Sequence, residues 1–172
     1  NGEVIWMMGP SDEYMASGNN HICTDIGFSF QHNIQLLNNG HLLFFDNGNL
    51  SELFNDDDFM SRALEIYVID DSYCEIIWEY ILPDTFYGPW MGSVQLLPND
   101  NYLINTVGNR GTVLEIGSNS QFLMMADYNL DENPAGNYRT YKIPSIFPDA
   151  FYVIFDNYVL TDIEGGDFLG IV

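Results

Sequence analysis

The polar cluster Gln31-His32-Asn33 is where side chains able to do chemistry first gather in this 172-residue chain. It stands just before the apolar run that begins at Ile34, so a strand starting there holds the imidazole at its entrance. An imidazole so placed can act as general base, nucleophile or hydrogen-bond donor. The competing reading is a structural histidine that closes a turn. Further on, Asp46-Asn47-Gly48-Asn49 follows a second apolar run and would bring Asp46 and Asn47 to the same rim as His32. These are also ordinary turn residues. The full calcium-loop pattern is absent, so a bound cation is the weaker idea. Asp56-Asp57-Asp58 has no spaced partner set and reads as a solvated acidic loop.

Cations are scarce, with four Lys and Arg against 25 Asp and Glu, so each arginine carries weight. Arg62 opens a strand after Ser61. Arg110, in Gly108-Asn109-Arg110-Gly111, sits in a loop at the corresponding end of the next repeat. Either guanidinium can clamp a sulfate, phosphate or carboxylate in a bidentate manner. A salt bridge to one of the many local acids competes, above all for Arg110. His41 falls in a hairpin turn and is expected to be exposed, and His21 lies in a loop rich in Gly and Asn. Cys23 and Cys74 are 51 residues apart with no ligand spacing around them. That pattern points to buried free thiols rather than a disulfide.

The elements that must position these groups are written in a repeat. Glu3-Val4-Ile5-Trp6 recurs as Glu75-Ile76-Ile77-Trp78, Ile34–Leu43 as Val94–Leu103, and Ala63-Leu64-Glu65-Ile66 as Val113-Leu114-Glu115-Ile116. The phrases keep their order, which marks a repeated supersecondary unit. Each phrase reads as a strand. Asn38-Asn39-Gly40 and Pro98-Asn99-Asp100-Asn101 supply hairpin turns between apolar runs. Leu64–Val68 and Glu75–Tyr80 follow as third and fourth strands, joined through Asp70-Asp71-Ser72. Gln35 and Gln95 are 60 residues apart but Leu64 and Leu114 only 50, so the first copy carries an insertion near Asn49–Ser61. Ser51–Met60 is the one local helix candidate. The expected class is all-β, a partial β-propeller of about three four-stranded antiparallel blades. Residues 1–155 would be its C-terminal blades and 156–172 terminal strands or the start of a further β module.

A net charge of −21 argues against nucleic acid and against anionic membrane surfaces, both of which select Lys and Arg. No window is long and apolar enough to span a bilayer as a helix. With residue 3 already inside a blade phrase, the chain reads as part of a larger propeller lacking its N-terminal blades. Its open edges would pair with those blades or self-associate.

The ordered set Gly2-Glu3-Val4-Ile5-Trp6, Gln31-His32-Asn33-Ile34-Gln35-Leu36-Leu37, Phe45-Asp46-Asn47-Gly48, Ser61-Arg62-Ala63-Leu64-Glu65, Ile77-Trp78-Glu79-Tyr80 and Gly92-Ser93-Val94-Gln95 resembles the arylsulfotransferase family. Tyr138-Arg139-Thr140-Tyr141-Lys142-Ile143-Pro144-Ser145 is similar to the stretch that closes the propeller in secreted members. The resemblance implies a six-bladed parent and a periplasmic or extracellular location. It implies sulfuryl transfer from a phenolic sulfate ester to a phenol, by a ping-pong route through a transiently sulfated histidine. No nucleotide donor and no cofactor are implied. By motif, His32 matches a channel histidine that contacts the sulfuryl group, with Asn33 beside it and Asp46, Asn47, Arg62 and Arg110 as substrate-binding candidates. In place of the arginine that follows the FDNG phrase in bacterial members, this chain has Asn49-Leu50-Ser51-Glu52. The loop expected to carry the nucleophilic histidine reads Thr106-Val107-Gly108-Asn109-Arg110-Gly111. A non-catalytic extracellular ligand-binding propeller and an adhesive repeat module are the alternative readings.

Overall fold

The computed structural model describes residues 2–12, 14, 16–55, 59–108, 111–128, 137–143, 159–163 and 166–170. Two compact units result, Asn1–Lys142 and Ile143–Val172. The described part of the second is one antiparallel hairpin, Val159–Ile163 with Gly166–Gly170. The chain is all-β, with little more helix than the short segment Ser51–Asn55 (α1) and the 3-10 turn Asp84–Phe86.

Unit one is built on two four-stranded antiparallel meanders. In chain order, β1 (Met7–Met8) and β2 (His21–Ile22) form a small parallel pair. The first meander is β3 (His32–Leu36), β4 (Leu42–Asp46), β5 (Arg62–Ile69) and β6 (Tyr73–Ile81). The second is β7 (Ser93–Leu96), β8 (Tyr102–Val107), β9 (Gly111–Ile116) and β10 (Phe122–Tyr128). Gln35 pairs with Leu43 and Leu36 with Leu42, just as Gln95 pairs with Leu103 and Leu96 with Tyr102. The repeated phrases therefore occupy equivalent positions.

Turn chemistry sets the hairpins. Gly40 takes φ +84° and donates its N–H to the Leu37 carbonyl at 2.9 Å, while the Leu37 N–H reaches the His41 carbonyl at 2.8 Å. Asp100 (φ +61°) and Ser120 (φ +62°) close the Leu97–Asn101 and Gly117–Gln121 turns by the same pair of bonds. This is the three-residue hairpin loop with one left-handed residue, a position Gly and Asp tolerate better than β-branched residues. The β5–β6 turn uses Asp70 and Asp71, both left-handed, closed by the Ser72 N–H on the Ile69 carbonyl at 3.0 Å. The expected insertion is the link between β4 and β5, residues 47–61, which holds α1. Residues 108–110 alone join β8 to β9.

Packing repeats as well as pairing. Leu43, Phe45 and Ala63 on one face of the first meander meet Val94, Tyr102, Ile104, Leu114 and Ile116 of the second. Trp78 stacks on Tyr102 in that layer, ring centroids 3.6 Å apart. The opposite face of the first meander, with Phe44, Leu64, Ile66 and Cys74, is covered by Ile22, Cys23, Ile26 and Phe28. Buried on both faces, β4 loses the polar alternation of a one-sided strand and reads Leu-Leu-Phe-Phe. β10, by contrast, is exposed along its whole length.

Two expectations change here. Cys23 and Cys74 are not free thiols but a disulfide, with Cα atoms 5.0 Å apart. The loop covering the outer face of the first meander brings them together, a contact that spacing alone does not reveal. The phrase Glu3–Trp6 does not form a strand. The matching phrase Glu75–Trp78 pairs with β5, and among the described residues no strand lies beside Glu3–Trp6 in the same way. Trp6 instead packs into the cluster under the loop and donates its indole N–H to Asp71 at 2.9 Å.

Candidate functional site

The entrance of β3 is bent by a bulge. His32 pairs with Phe45 and Gln35 with Leu43, so Asn33 and Ile34 together oppose Phe44. Asn33 takes the left-handed conformation, φ +57°, that Asn accepts more readily than most residues. Such a bulge re-aims the neighbouring side chain. Here it turns His32 toward the end of β4.

His32 Nδ1 lies 2.9 Å from the Phe30 carbonyl oxygen and 2.7 Å from Asn47 Oδ1. The orientation of the Asn47 amide follows from its other contacts. Its Nδ2 donates to the Gly88 carbonyl and, at 2.9 Å, to the Met91 carbonyl, so its oxygen faces the imidazole. Nδ1 thus faces two acceptors and carries the proton. In the neutral ring Nε2 then holds a lone pair, and it has no hydrogen-bond partner among the described residues. The ring is half-buried, and Tyr138 meets it edge to face at 6.4 Å between centroids. Asn33 is almost fully buried. Its Oδ1 accepts from the Val94 N–H at 3.2 Å and from Gln35 Nε2 at 2.9 Å, and its Nδ2 donates to the Tyr141 hydroxyl at 3.2 Å.

Asp46 and Arg62 are direct cross-strand partners but work in a different place. Side chains alternate along β4, so Asp46 leaves on the face of Phe44, toward the covering loop. Arg62 Nε donates to Asp46 Oδ2 at 2.9 Å, Nη1 to Glu79 at 2.8 Å, and Nη2 to the Ile26 and Gly27 carbonyls at 2.7 and 3.3 Å. Asp46 Oδ1 accepts the backbone N–H groups of Ser29 and Gly48, each at 2.9 Å. Burial raises the Asp46 carboxyl above the usual aspartate range, against the pull of the Arg62 charge. Every nitrogen of this guanidinium is engaged, and the pair clamps the loop at 26–29 to the sheet.

The structure thus joins His32, Asn33 and Asn47 in one cluster and sets Asp46 and Arg62 apart in another. Arg110 and Asp56–Asp58 lie outside the described residues. His21 is held by the Pro10 carbonyl at Nδ1 and by Ser17 Oγ at 2.6 Å on Nε2. His41, expected to be exposed, is half-buried because Nδ1 sits 2.5 Å from buried Glu65. Tyr102 donates to the same carboxylate at 2.6 Å. Its phenol is pushed well above the ordinary tyrosine range by burial first and this bond second.

Residues 137–142 are the part of the site that spacing did not reveal. They lie on the second meander much as the second lies on the first. Gln35 Nε2 donates to the Val94 carbonyl at 2.6 Å, and Gln95 Nε2 to the Lys142 carbonyl at 3.1 Å. Ser93 Oγ accepts the Thr140 N–H at 3.2 Å, and Asn105 Nδ2 donates to the Asn137 carbonyl at 2.8 Å. Lys142 Nζ is 2.7 Å from Glu115, whose carboxyl the Lys142 contact lowers below the usual glutamate range. The signal available in the sequence was the Tyr138–Ser145 motif. Its 108-residue reach from Tyr141 back to Asn33 was not.

A repeated antiparallel meander with an oriented imidazole at the start of its first strand defines an all-β protein whose candidate chemistry rests on histidine. The family model described as Arylsulfotransferase (ASST) matches residues 1–134, and the chain belongs to that family. No curated protein and no solved structure matches it.

Proposed function

We propose that the chain carries part of an arylsulfotransferase site in which His32 Nε2 receives the sulfuryl group, taking the role expected of the Thr106–Gly111 loop, whose sequence holds no histidine. The observation that supports this most is the tautomer imposed by Phe30 and Asn47, which leaves the lone pair on Nε2, an atom with no hydrogen-bond partner among the described residues. Nε2 attacks the sulfur of a phenolic sulfate ester. The S–O bond to the aryl group breaks as the N–S bond forms, and the phenolate leaves and takes a proton from water. An acceptor phenol gives its proton to the hydroxide left from that water and attacks the same sulfur as phenolate, and the N–S bond breaks to regenerate the neutral imidazole. No electrons are exchanged, so no redox partner enters. Asn47 acts as a positioning residue that keeps the lone pair on Nε2.

The meanders read as neighbouring blades of a larger propeller, which the equivalent registers and repeated layer contacts support. An oxidising periplasmic or extracellular location is supported by the Cys23–Cys74 disulfide, a bond rarely kept in reducing compartments. The acidic surface fits a small phenolic substrate brought by diffusion and disfavours polyanionic partners.

The test is sulfate transfer from 4-nitrophenyl sulfate to phenol by the protein and by His32→Ala. Expected are acceptor-dependent release of 4-nitrophenol and its loss in the variant, by about 10^3-fold or more for loss of a nucleophile. Unchanged transfer in His32→Ala removes His32 from the mechanism. Ester binding without turnover would instead favour a ligand-binding propeller. Asn47→Ala removes one of the two acceptors that face Nδ1 and should lower kcat by up to about 10^2-fold, the scale of a misplaced catalytic proton. Nitrogen-15 NMR should then show a larger share of the Nε2–H form of His32, with the Phe30 carbonyl still favouring Nδ1–H.

A further inference from the structure

Three observations converge on residues 138–141. Tyr138 touches the His32 ring edge to face at 6.4 Å, and the Arg139 guanidinium carbon lies over the same Tyr138 ring, 5.0 Å from its centroid. The Tyr141 hydroxyl accepts a hydrogen bond from Asn33, the residue next to His32, at 3.2 Å. Both tyrosines stay about half exposed, 51% and 52%, although each is held beside the site.

The distribution of cations adds an independent argument. Arg62 is bound by Asp46 and Glu79, and Lys142 by Glu115. Arg139 has no carboxylate within ion-pair distance among the described residues, in a chain with 25 acids and four Lys and Arg. A guanidinium that meets no carboxylate among the described residues can pair with an incoming anion. Its place over an aromatic face pairs that charge with an apolar surface.

On the reading that His32 takes the sulfuryl group, we infer that residues 138–141 form the recognition wall of the site. The Tyr138 ring packs against the aryl group of the sulfate ester, and Arg139 pairs with its sulfate oxygens. Tyr141, anchored through Asn33, holds the wall against the β3 bulge. The ligand class is an aromatic ring bearing one anionic ester. Residues 137–142 are clipped by Ser93, Gln95 and Asn105 of the second meander. One meander therefore supplies the imidazole and the next supports the surface that selects its substrate.

Equilibrium binding by calorimetry tests this without requiring turnover, using the full chain with 4-nitrophenyl sulfate, 4-nitrophenol and methyl sulfate. Tyr138→Ala should weaken both aryl ligands about 2- to 10-fold, the scale of one aromatic contact, and leave methyl sulfate unchanged. Tyr138→Phe should bind aryl ligands as the unaltered protein does. Arg139→Gln should weaken the two sulfate esters and spare 4-nitrophenol. Aryl binding that is indifferent to Tyr138→Ala, or an equal loss of methyl sulfate, overturns the wall. Turnover with a KM insensitive to Tyr138 sinks the wall and keeps the transfer reading. Tyr138-dependent binding with no turnover keeps the wall and sinks the transfer reading.

Discussion

The two meanders are one frame built twice, and the polar positions that form the candidate site and the loop clamp in the first are filled differently in the second. In the sequence repeat anchored on Gln35 and Gln95, His32 stands where Gly92 does and Asn33 where Ser93 does, although the β3 bulge sets His32 opposite Phe45 as Ser93 is set opposite Asn105. Along the following strands Asp46 corresponds to Thr106, Asn47 to Val107 and Arg62 to Thr112. Glycine is required at 92. Its φ is +101°, and a Cβ there would sit 2.6 Å from the Phe45 ring. The second meander approaches the first so closely at this point that no imidazole fits. Thr106 Oγ1 donates to the Phe86 carbonyl and Thr112 Oγ1 to Asp127, neutral donors where the first meander has a buried ion pair. Conversely, Asn105 replaces Phe45 and binds residues 137–142 through hydrogen bonds rather than by apolar contact. Equivalent backbone thus leaves the side chains free to diverge according to what packs against each face.

The sharpest break of this comparison is the pair His32→Ala and Gly92→Ala. The first should abolish sulfuryl transfer and leave thermal stability within a few degrees. The second should destabilise by about 2–3 kcal/mol through overpacking against Phe45, readable in urea unfolding. If the two variants behave alike, the division of labour between the meanders is wrong.

Next in size is Arg62→Met, expected to cost about 3–5 kcal/mol because Asp46 stays buried without its partner. Thr112→Val at the equivalent position should cost about 1 kcal/mol, one hydrogen bond from a neutral donor. Paired denaturation curves decide this, and equal losses would show that the loop clamp is not what distinguishes the first meander.

Breaking the disulfide with Cys23→Ser and Cys74→Ser together should lower stability by about 2–4 kcal/mol, through freeing of the closed loop. Hydrogen exchange should locate the loss at residues 22–28 and the outer face of the first meander, with the second meander protected as before. A uniform loss over both would contradict that placement.

The smallest effect concerns the Lys142–Glu115 contact. The Glu115 carboxyl titrates below its ordinary value in the folded protein, so the unfolded chain binds more protons in that range. The contact therefore contributes stability above the ordinary glutamate pKa, and this is lost as pH falls through the lowered folded value. Lys142→Met should flatten this part of the stability–pH curve, which melting between about pH 3 and about pH 6 will show, the range spanning the usual glutamate value.

Hairpin order was legible because each turn is chosen locally. Asn38-Asn39-Gly40 and Asn99-Asp100 announce their left-handed positions, and the apolar runs beside them have no helical period. The insertion was legible as unequal spacing between repeats. His32, Asn33 and Asn47 were legible as a group because the two strand ends that carry them are adjacent hairpin partners. The fate of Arg62 was not, since whether a guanidinium faces a ligand or a carboxylate depends on which face of β5 its neighbours cover. Cys23–Cys74 and Tyr138 beside His32 were hidden for the same reason: both contacts join segments far apart in the chain.

What the amino-acid order determined alone was therefore the local part: strands, turns, repeat and the candidate imidazole. These follow from backbone preferences and side-chain period over a few residues. Only the tertiary structure decided which nitrogen of His32 carries the proton, which arginine is spent on an ion pair, and which tyrosines stand at the site. Those outcomes depend on burial and on partners supplied by distant segments, and no local spacing encodes them.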